Sequence, residues 1–249
     1  ILHIPGHPRP ASFKESVYKF MFKLFIKFDA SKAKAVRVMN KSQVPGFLIR
    51  AGIPREKIIY IPAIYVNLDT FKPMEFSKEY DLIFIGRLEK NKGINLLLEA
   101  AKEFKILVVG DGPLRKKLEL QATNYKLKAK FYGWAKDSLE IAELINKSKV
   151  LVMPSYNEGG PRVIVEAMAC GVPVLATPVG IVPDIIKSGE SGEIIDWNAE
   201  DIAAKVKDLL SNTEKYNKYR QAGLEIAKQF EKKEMIKNYA EKLKNLINN

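Results

Sequence analysis

Three short stretches of this sequence set chemistry-bearing side chains beside glycines. The first is Gly86-Arg87-Leu88-Glu89-Lys90-Asn91-Lys92-Gly93. The Arg87 guanidinium can grip a phosphate with two parallel bonds, and the Lys92 ammonium adds a point charge, so the pair can face one anion. Two solvated surface cations would show the same spacing. The second is Gly110-Asp111-Gly112-Pro113, a sharp turn in which missing side chains let the backbone approach a ligand. It lacks the full Gly-x-Gly-x-x-Gly spacing of dinucleotide folds. The third, and most informative, runs from Pro154 to Val174. Here the glycine-rich loop Glu158-Gly159-Gly160 leads into Pro161 and Arg162, and proline suits a first helical turn. Free N–H groups at a helix start offer a seat for negative charge or sugar oxygens. Glu158 precedes that helix and Glu166 lies about one and a half turns into it. Two carboxylates so separated can hold different parts of one ligand, and a carboxylate pairs well with vicinal hydroxyls. A capping Glu and a surface Glu are the plainer alternative.

Such loops need a scaffold that aims them, and the flanking pattern supplies one. From Tyr80 onward, short β-branched runs alternate with helical periods. The runs fall at 81–86, 105–110, 128–132, 149–153, 172–176 and 193–195. The helices fall at 94–102, 114–124, 138–146, 163–170, 182–188 and 199–211. Strands apolar on both faces belong to a parallel sheet covered by helices, so the pattern predicts a doubly wound α/β domain. Each of the three motifs then follows a strand, where open α/β sheets bind ligands. Residues 214–247 read as helix with a break near 229–231. The first 75 residues predict a strand at 1–4, helices at 13–28 and 42–51, and strands at 35–39 and 57–61. The sequence therefore divides into 1–75, a partial α/β lobe and linker, then 76–229, a complete α/β lobe. Residues 230–249 form a terminal helix that packs back on the first lobe.

Bulk composition fits this reading. The 249 residues are 47% hydrophobic and 28% charged, an ordinary globular balance. Cys170 is the single cysteine, which excludes an internal disulfide or a thiolate zinc cluster. The formal charge is +12, and residues 1–75 hold 13 Lys and Arg against 5 Asp and Glu. That surplus favours an anionic partner such as a lipid phosphate or head group. The chain opens in mid-pattern at Ile1, so a piece of a longer protein is expected, one that binds its substrate without necessarily turning it over.

These residues resemble the retaining glycosyltransferases of the GT-B fold, in the large family 4 group. The resemblance covers nearly the whole chain. It rests on Gly86-Arg87 with Lys92-Gly93, the Gly110-Asp111-Gly112-Pro113-Leu114 turn, and the Glu-x7-Glu pair Glu158 and Glu166. The run Glu166-Ala167-Met168-Ala169-Cys170-Gly171-Val172-Pro173-Val174 and the crossover-like Ile59-Tyr60-Ile61-Pro62 with Phe71-Lys72-Pro73 add to it. The resemblance implies a Rossmann-like C-terminal domain plus the second half of a similar N-terminal one; 76–229 would be the nucleotide-sugar-binding lobe and 1–75 the acceptor-side one. The implied activity moves a hexose from a UDP-, GDP- or ADP-sugar to a lipid-linked, glycan or small-molecule acceptor, with retention. Arg87 and Lys92 would bind and stabilise the leaving diphosphate. Glu158 would face the sugar, Gly159, Gly160, Pro161 and Arg162 would line the pocket, and Glu166 would hold the ribose. Gly133 and Trp134 would lie near the base. Two positions depart from the family pattern: Gly160 stands where an aromatic is usual, and Pro62-Ala63-Ile64-Tyr65-Val66-Asn67 replaces the common Pro-Asn-Gly-Val-Asp.

The family often places a histidine beside the sugar and acceptor, which His7 would supply; an ordinary loop histidine is the alternative. The predicted helix Phe13–Phe28 carries Lys19, Lys23 and Lys27 on one face among apolar and aromatic residues. It is too charged to span a bilayer but suits a membrane interface; a core helix with a lysine face in water reads equally well. The protein is expected in the cytoplasm, at the inner membrane face. No Asp-x-Asp pair occurs, so cationic side chains rather than a metal or cofactor are expected to take the leaving-group charge. A sugar-nucleotide epimerase and a basic membrane- or nucleic-acid-binding protein are the rivals, with nucleic acid the less expected partner.

Overall fold

The structure, a computed structural model, describes residues 2–4, 21 and 25–248. His7 and most of the predicted helix at 13–28, including Lys19 and Lys23, lie outside the described residues.

The larger unit is a parallel sheet built from β4 (Tyr80–Ile85), β5 (Ile106–Val109), β6 (Ala129–Gly133), β7 (Ser148–Met153), β8 (Val174–Ala176) and β9 (Glu193–Ile194). Its spatial order is β6-β5-β4-β7-β8-β9, with every pairing parallel. Successive side chains of a strand point to opposite faces, and here both faces are buried. Ile83, Leu107, Val109, Leu151 and Met153 join one core, against α5 (Ser138–Asn146), α6 (Arg162–Ala169) and α7 (Val182–Ile185). Leu82, Phe84, Ile106, Val108, Val150 and Val152 join the other, against α3 (Ile94–Ala100), α4 (Arg115–Asn124) and α8 (Ala199–Ser211). This is why the strands read as continuous apolar runs rather than alternating ones.

Helix starts follow local chemistry. Asp137 Oδ1 accepts from the Glu140 N–H at 2.9 Å, and Asn198 Oδ1 from that of Asp201 at 3.0 Å. Both caps fix α5 and α8 at the bounds expected from the sequence. Two other helices end early. α3 tightens into a 3₁₀ turn at Ala101–Glu103. α7 stops at Ile185 because Ile186 turns extended and is buried, sending the chain toward β9.

The smaller unit is a parallel sheet of β1 (Leu2–Ile4), β2 (Val36–Val38) and β3 (Ile58–Tyr60). It packs with helical residues 25–32, α1, and with α2 (Val44–Arg50) around Ile26, Val36, Val38, Phe47 and Leu48. α2 starts two residues later than expected, and Asn40 Oδ1 accepts from the N–H groups of Gln43 and Val44 at its entry. Lys57 Nζ closes the far end of α1, donating to the carbonyls of Ala30, Ser31 and Ala33 at 3.1, 3.2 and 3.1 Å.

Two segments join the units. The outgoing one is anchored by Asn146, which is buried. Its Oδ1 accepts from Met74 N and its Nδ2 donates to Lys72 O, at 2.9 and 3.0 Å. The returning one lies between α9 (Thr213–Lys228) and α10 (Lys232–Asn248). The break between those helices arises where Val66 N–H donates to Phe230 O (2.8 Å) and Lys232 N–H to Val66 O (2.9 Å). α10 then reaches the smaller unit, with Lys242 Nζ donating to Tyr60 O at 2.8 Å and Arg37 lying over the Tyr239 ring.

Candidate functional site

The chain runs outward from β4 to β5 and β6, then returns to β7 on the other side of β4. A crevice opens where the strand order reverses, beyond the carboxyl ends of these two neighbours. The first and third motifs are the loops that leave them.

Those loops are fastened together. Tyr156 N–H donates to Asn91 O at 2.8 Å. Gly93 adopts a left-handed φ of +66°, and a Cβ on it would fall 2.0 Å from Pro154 O, so only glycine fits. Lys92 Nζ meets Glu158 Oε1 at 2.6 Å, and Ser155 Oγ donates to the same oxygen at 2.9 Å. The two side chains are 22% and 15% exposed, which makes this a largely desolvated ion pair. Arg87 points elsewhere: its Nη2 pairs with Glu89 Oε1 at 3.1 Å and its side chain is 67% exposed. The two cations thus pair with different carboxylates, Arg87 with Glu89 and Lys92 with Glu158. A cation leaving bulk water needs a counter-charge, and Lys92 takes the Glu158 carboxylate, whereas Arg87 stays in water beside Glu89.

Gly110 and Gly112 do approach something closely, but it is the protein's own backbone. A Cβ at Gly110 would sit 2.0 Å from Gly86 O, and one at Gly112 would sit 2.7 Å from Leu88 O. The second motif thus props the first loop. Asp111 holds Arg115 at 2.7 Å. The Arg115 guanidinium, and after it the Gly112 N–H, keep that carboxyl below its ordinary range. Arg115 Nη1 also lies 3.4 Å from where a Cβ on Gly133 would be. Gly133 ends β6 and the exposed Trp134 follows it, two strands and roughly 10 Å from β4, to one side of the crevice.

The third motif ends at α6. Pro161 occupies the N-cap position with extended backbone, so the helix begins at Arg162, one residue before the range 163–170 read from the sequence. The N–H groups of Gly159 and Gly160 meet no acceptor among the described residues. Glu166 lies one turn inside α6 and is buried, which removes the surface-Glu alternative. Burial pushes its carboxyl pKa up, opposed by Arg162, whose Nη2 lies 3.5 Å away. Arg162 in turn lies over the Tyr65 ring. Cys170 closes α6; burial, then the Glu166 charge, push its thiol up to about 12.

Several neighbours carried no signal in the sequence reading. Ser155 is buried, and its carbonyl accepts from Thr177 Oγ1 at 2.5 Å and Trp197 Nε1 at 3.1 Å. The Trp197 ring stacks with Tyr156, centroids 6.2 Å apart. Gly180, in the loop after β8, lies under the loop holding Glu158. Its place after a strand was the available clue. The smaller unit closes over the same region: Gln43 Nε2 donates to Pro178 O at 2.8 Å, and Lys41 N–H to Asp184 Oδ2 at 2.6 Å. His3 belongs to β1, opposite Arg37 in register.

Residues 67–226 match the family described as glycosyl transferases group 1. An uncharacterized glycosyltransferase of Methanocaldococcus jannaschii is 34% identical over 151 residues, 59% of this chain and 43% of that protein. The GalNAc-alpha-(1->4)-GalNAc-alpha-(1->3)-diNAcBac-PP-undecaprenol alpha-1,4-N-acetyl-D-galactosaminyltransferase of Campylobacter jejuni is 27% identical, covering 87% of this chain and 60% of its own length. The chain thus spans about half the length of these relatives. Among solved structures, Anabaena HepE in complex with UDP superimposes with a TM-score of 0.84 at 21% identity, covering 98% of this chain and 71% of that one. Sucrose-phosphate synthase of Thermosynechococcus elongatus gives 0.81 at 23%, covering 96% and 64%.

Proposed function

The chain belongs to the glycosyl transferases group 1 family and has the GT-B fold, and on that premise we propose that its crevice takes a nucleotide diphosphate-sugar and passes the hexose to a hydroxyl acceptor with retention. One observation carries this reading. Loops bearing Arg87, Lys92 and Glu158 leave the two strands that flank the reversal of strand order, with Glu166 buried behind them.

As the bond from the anomeric carbon to the diphosphate oxygen breaks, negative charge grows on that oxygen. Lys92, Arg87 and the free N–H groups of Gly159 and Gly160 are the positive groups within reach of the crevice. Each well-placed donor lowers such a barrier by about 3 kcal/mol. Lys92 engages the diphosphate by leaving Glu158, and that frees the carboxylate to accept from a sugar hydroxyl. Retention follows when the acceptor oxygen arrives on the face the diphosphate leaves, where the departing oxygen is the nearest base for the acceptor proton. Glu166 accepts from the ribose hydroxyls, and Gly133 and Trp134 flank the base.

HepE binds UDP in its solved complex, which puts a uridine nucleotide first among UDP, GDP and ADP. The Campylobacter relative is named for an undecaprenol-linked acceptor, which supports a lipid-linked acceptor here. Phe25 and Phe28 share one exposed face of α1, with Lys32 over the Phe28 ring, and Met21 is exposed as well. Such a face suits the interface of an anionic membrane.

Titration calorimetry with UDP, GDP and ADP tests the site. Arg87→Ala and Glu166→Ala are each expected to weaken the preferred nucleotide about tenfold or more, some 1.4 kcal/mol. Unchanged affinity in both variants overturns the assignment.

A further inference from the structure

The loop at 157–161 is placed by what it touches. Gly180, at φ +57°, lies so close beneath it that a Cβ there would fall 2.5 Å from Glu158 O and 2.4 Å from Gly159 O. On another side Gly160 rests on Ile64. A Cβ at 160 would sit 2.6 Å from Ile64 Cγ2, with Met39 Cε at 3.9 Å. Gly160 is not among the glycines with positive φ, so space, not backbone freedom, demands glycine here.

Ile64 is itself a fixed point. It is 1% exposed and belongs to the core that also contains Ile164 and Val165 of α6. It lies in the outgoing segment between the units, two residues before Val66, whose N–H and C=O both bind the returning segment. The two departures from the family pattern noted above, at 64 and at 160, therefore meet in space. The branched side chain at one position occupies the volume left by the missing side chain at the other.

We propose that Ile64 is a positioning residue for the donor site: its Cγ2, seated on Gly160, fixes the loop that presents Glu158 and the free Gly159 and Gly160 amides, and ties that loop to the segment joining the lobes. This rests on reading the crevice as a nucleotide-sugar site. Removing the Ile64 side chain leaves a void into which the loop can swing. Adding a methyl at 160 pushes the loop off its seat. Made together, the new methyl enters the vacated space, so the two changes must be strongly non-additive.

The experiment is a double-mutant cycle of Gly160→Ala and Ile64→Ala, with Ile64→Val as the conservative control because valine keeps a methyl at the contact. UDP, GDP and ADP affinities are measured by calorimetry and Gly159 and Gly160 amide exchange by NMR. Each single variant is expected to lose about tenfold in nucleotide affinity, while the double variant and Ile64→Val return to within about threefold of the parent. Should Ile64→Ala fail to fold, Gly160→Ala against Ile64→Val carries the comparison. Additive losses, or affinity unchanged while thermal midpoints fall, overturn the proposal, since the contact then only fills the core. If the parent binds none of the three nucleotides, the crevice reading fails separately. Exchange then decides: faster in the single variants and restored in the double supports the positioning role, and unchanged exchange overturns it.

Discussion

Glu166 bears an electrostatic cost that its neighbours in α6 do not. Burial raises its pKa, and Arg162, half exposed at 3.5 Å, offsets this only in part. A carboxyl whose folded pKa is raised is fully compatible with the fold below its unfolded pKa and costs stability as pH rises through the folded one. Glu166→Gln is therefore expected to raise the thermal midpoint at pH 7 by about 2–4 °C, the shift that roughly 1 kcal/mol gives a chain of this size. The gain should shrink toward zero near pH 4, and nucleotide affinity should fall. Calorimetry across pH 4–8 checks this; a pH-independent gain would show that something other than charge burial is responsible. The identities of the charged residues were legible in the sequence, but their pairing was not. Lys92 and Glu158 lie 66 positions apart, and only the sheet order makes them neighbours. Arg87 and Glu89 are close in sequence, yet nothing in their types says which anion the guanidinium prefers.

At the scale of elements, the junction between the loops after β4 and β7 depends on one backbone contact. Gly93 combines left-handed backbone with a carbonyl where its Cβ would be, whereas Gly189, at φ +79°, has nothing within 4 Å. Gly189→Ala should thus cost only the backbone strain, about 1 kcal/mol, and Gly93→Ala about 3 kcal/mol or more, because Pro154 must also move. Equal denaturant midpoints for the two would refute the contact. The strands were readable from their β-branched runs, and α5 and α8 from their helical periods. The ends of α3 and α7 were not, because burial of Ala101 and Ile186 sets them rather than any capping residue. The propping role of Gly110 and Gly112 was equally hidden, since a glycine that approaches a ligand and one that approaches a carbonyl look alike in sequence.

At the scale of the molecule, the lobes meet through Lys41 with Asp184 and Gln43 with Pro178. A hydrogen bond to a carboxylate contributes about 1–2 kcal/mol, so Asp184→Ala should shift the closed-to-open ratio by roughly fivefold to thirtyfold. Small-angle scattering should register this as a larger radius of gyration, relieved by a saturating ligand that binds both lobes; an unchanged scattering profile would count against the clasp. These contacts had no precursor in the sequence, which showed two α/β patterns and a linker but not which loop of one faces the other. The two strands of chain that cross between lobes are bonded to each other at Val66 and Phe230 rather than entering at separate places. A body suspended at one pin can swing but cannot slide. Once the Lys41 and Gln43 contacts release, the expected motion is rotation about an axis through that point, with displacement at the crevice mouth growing with distance from the pin.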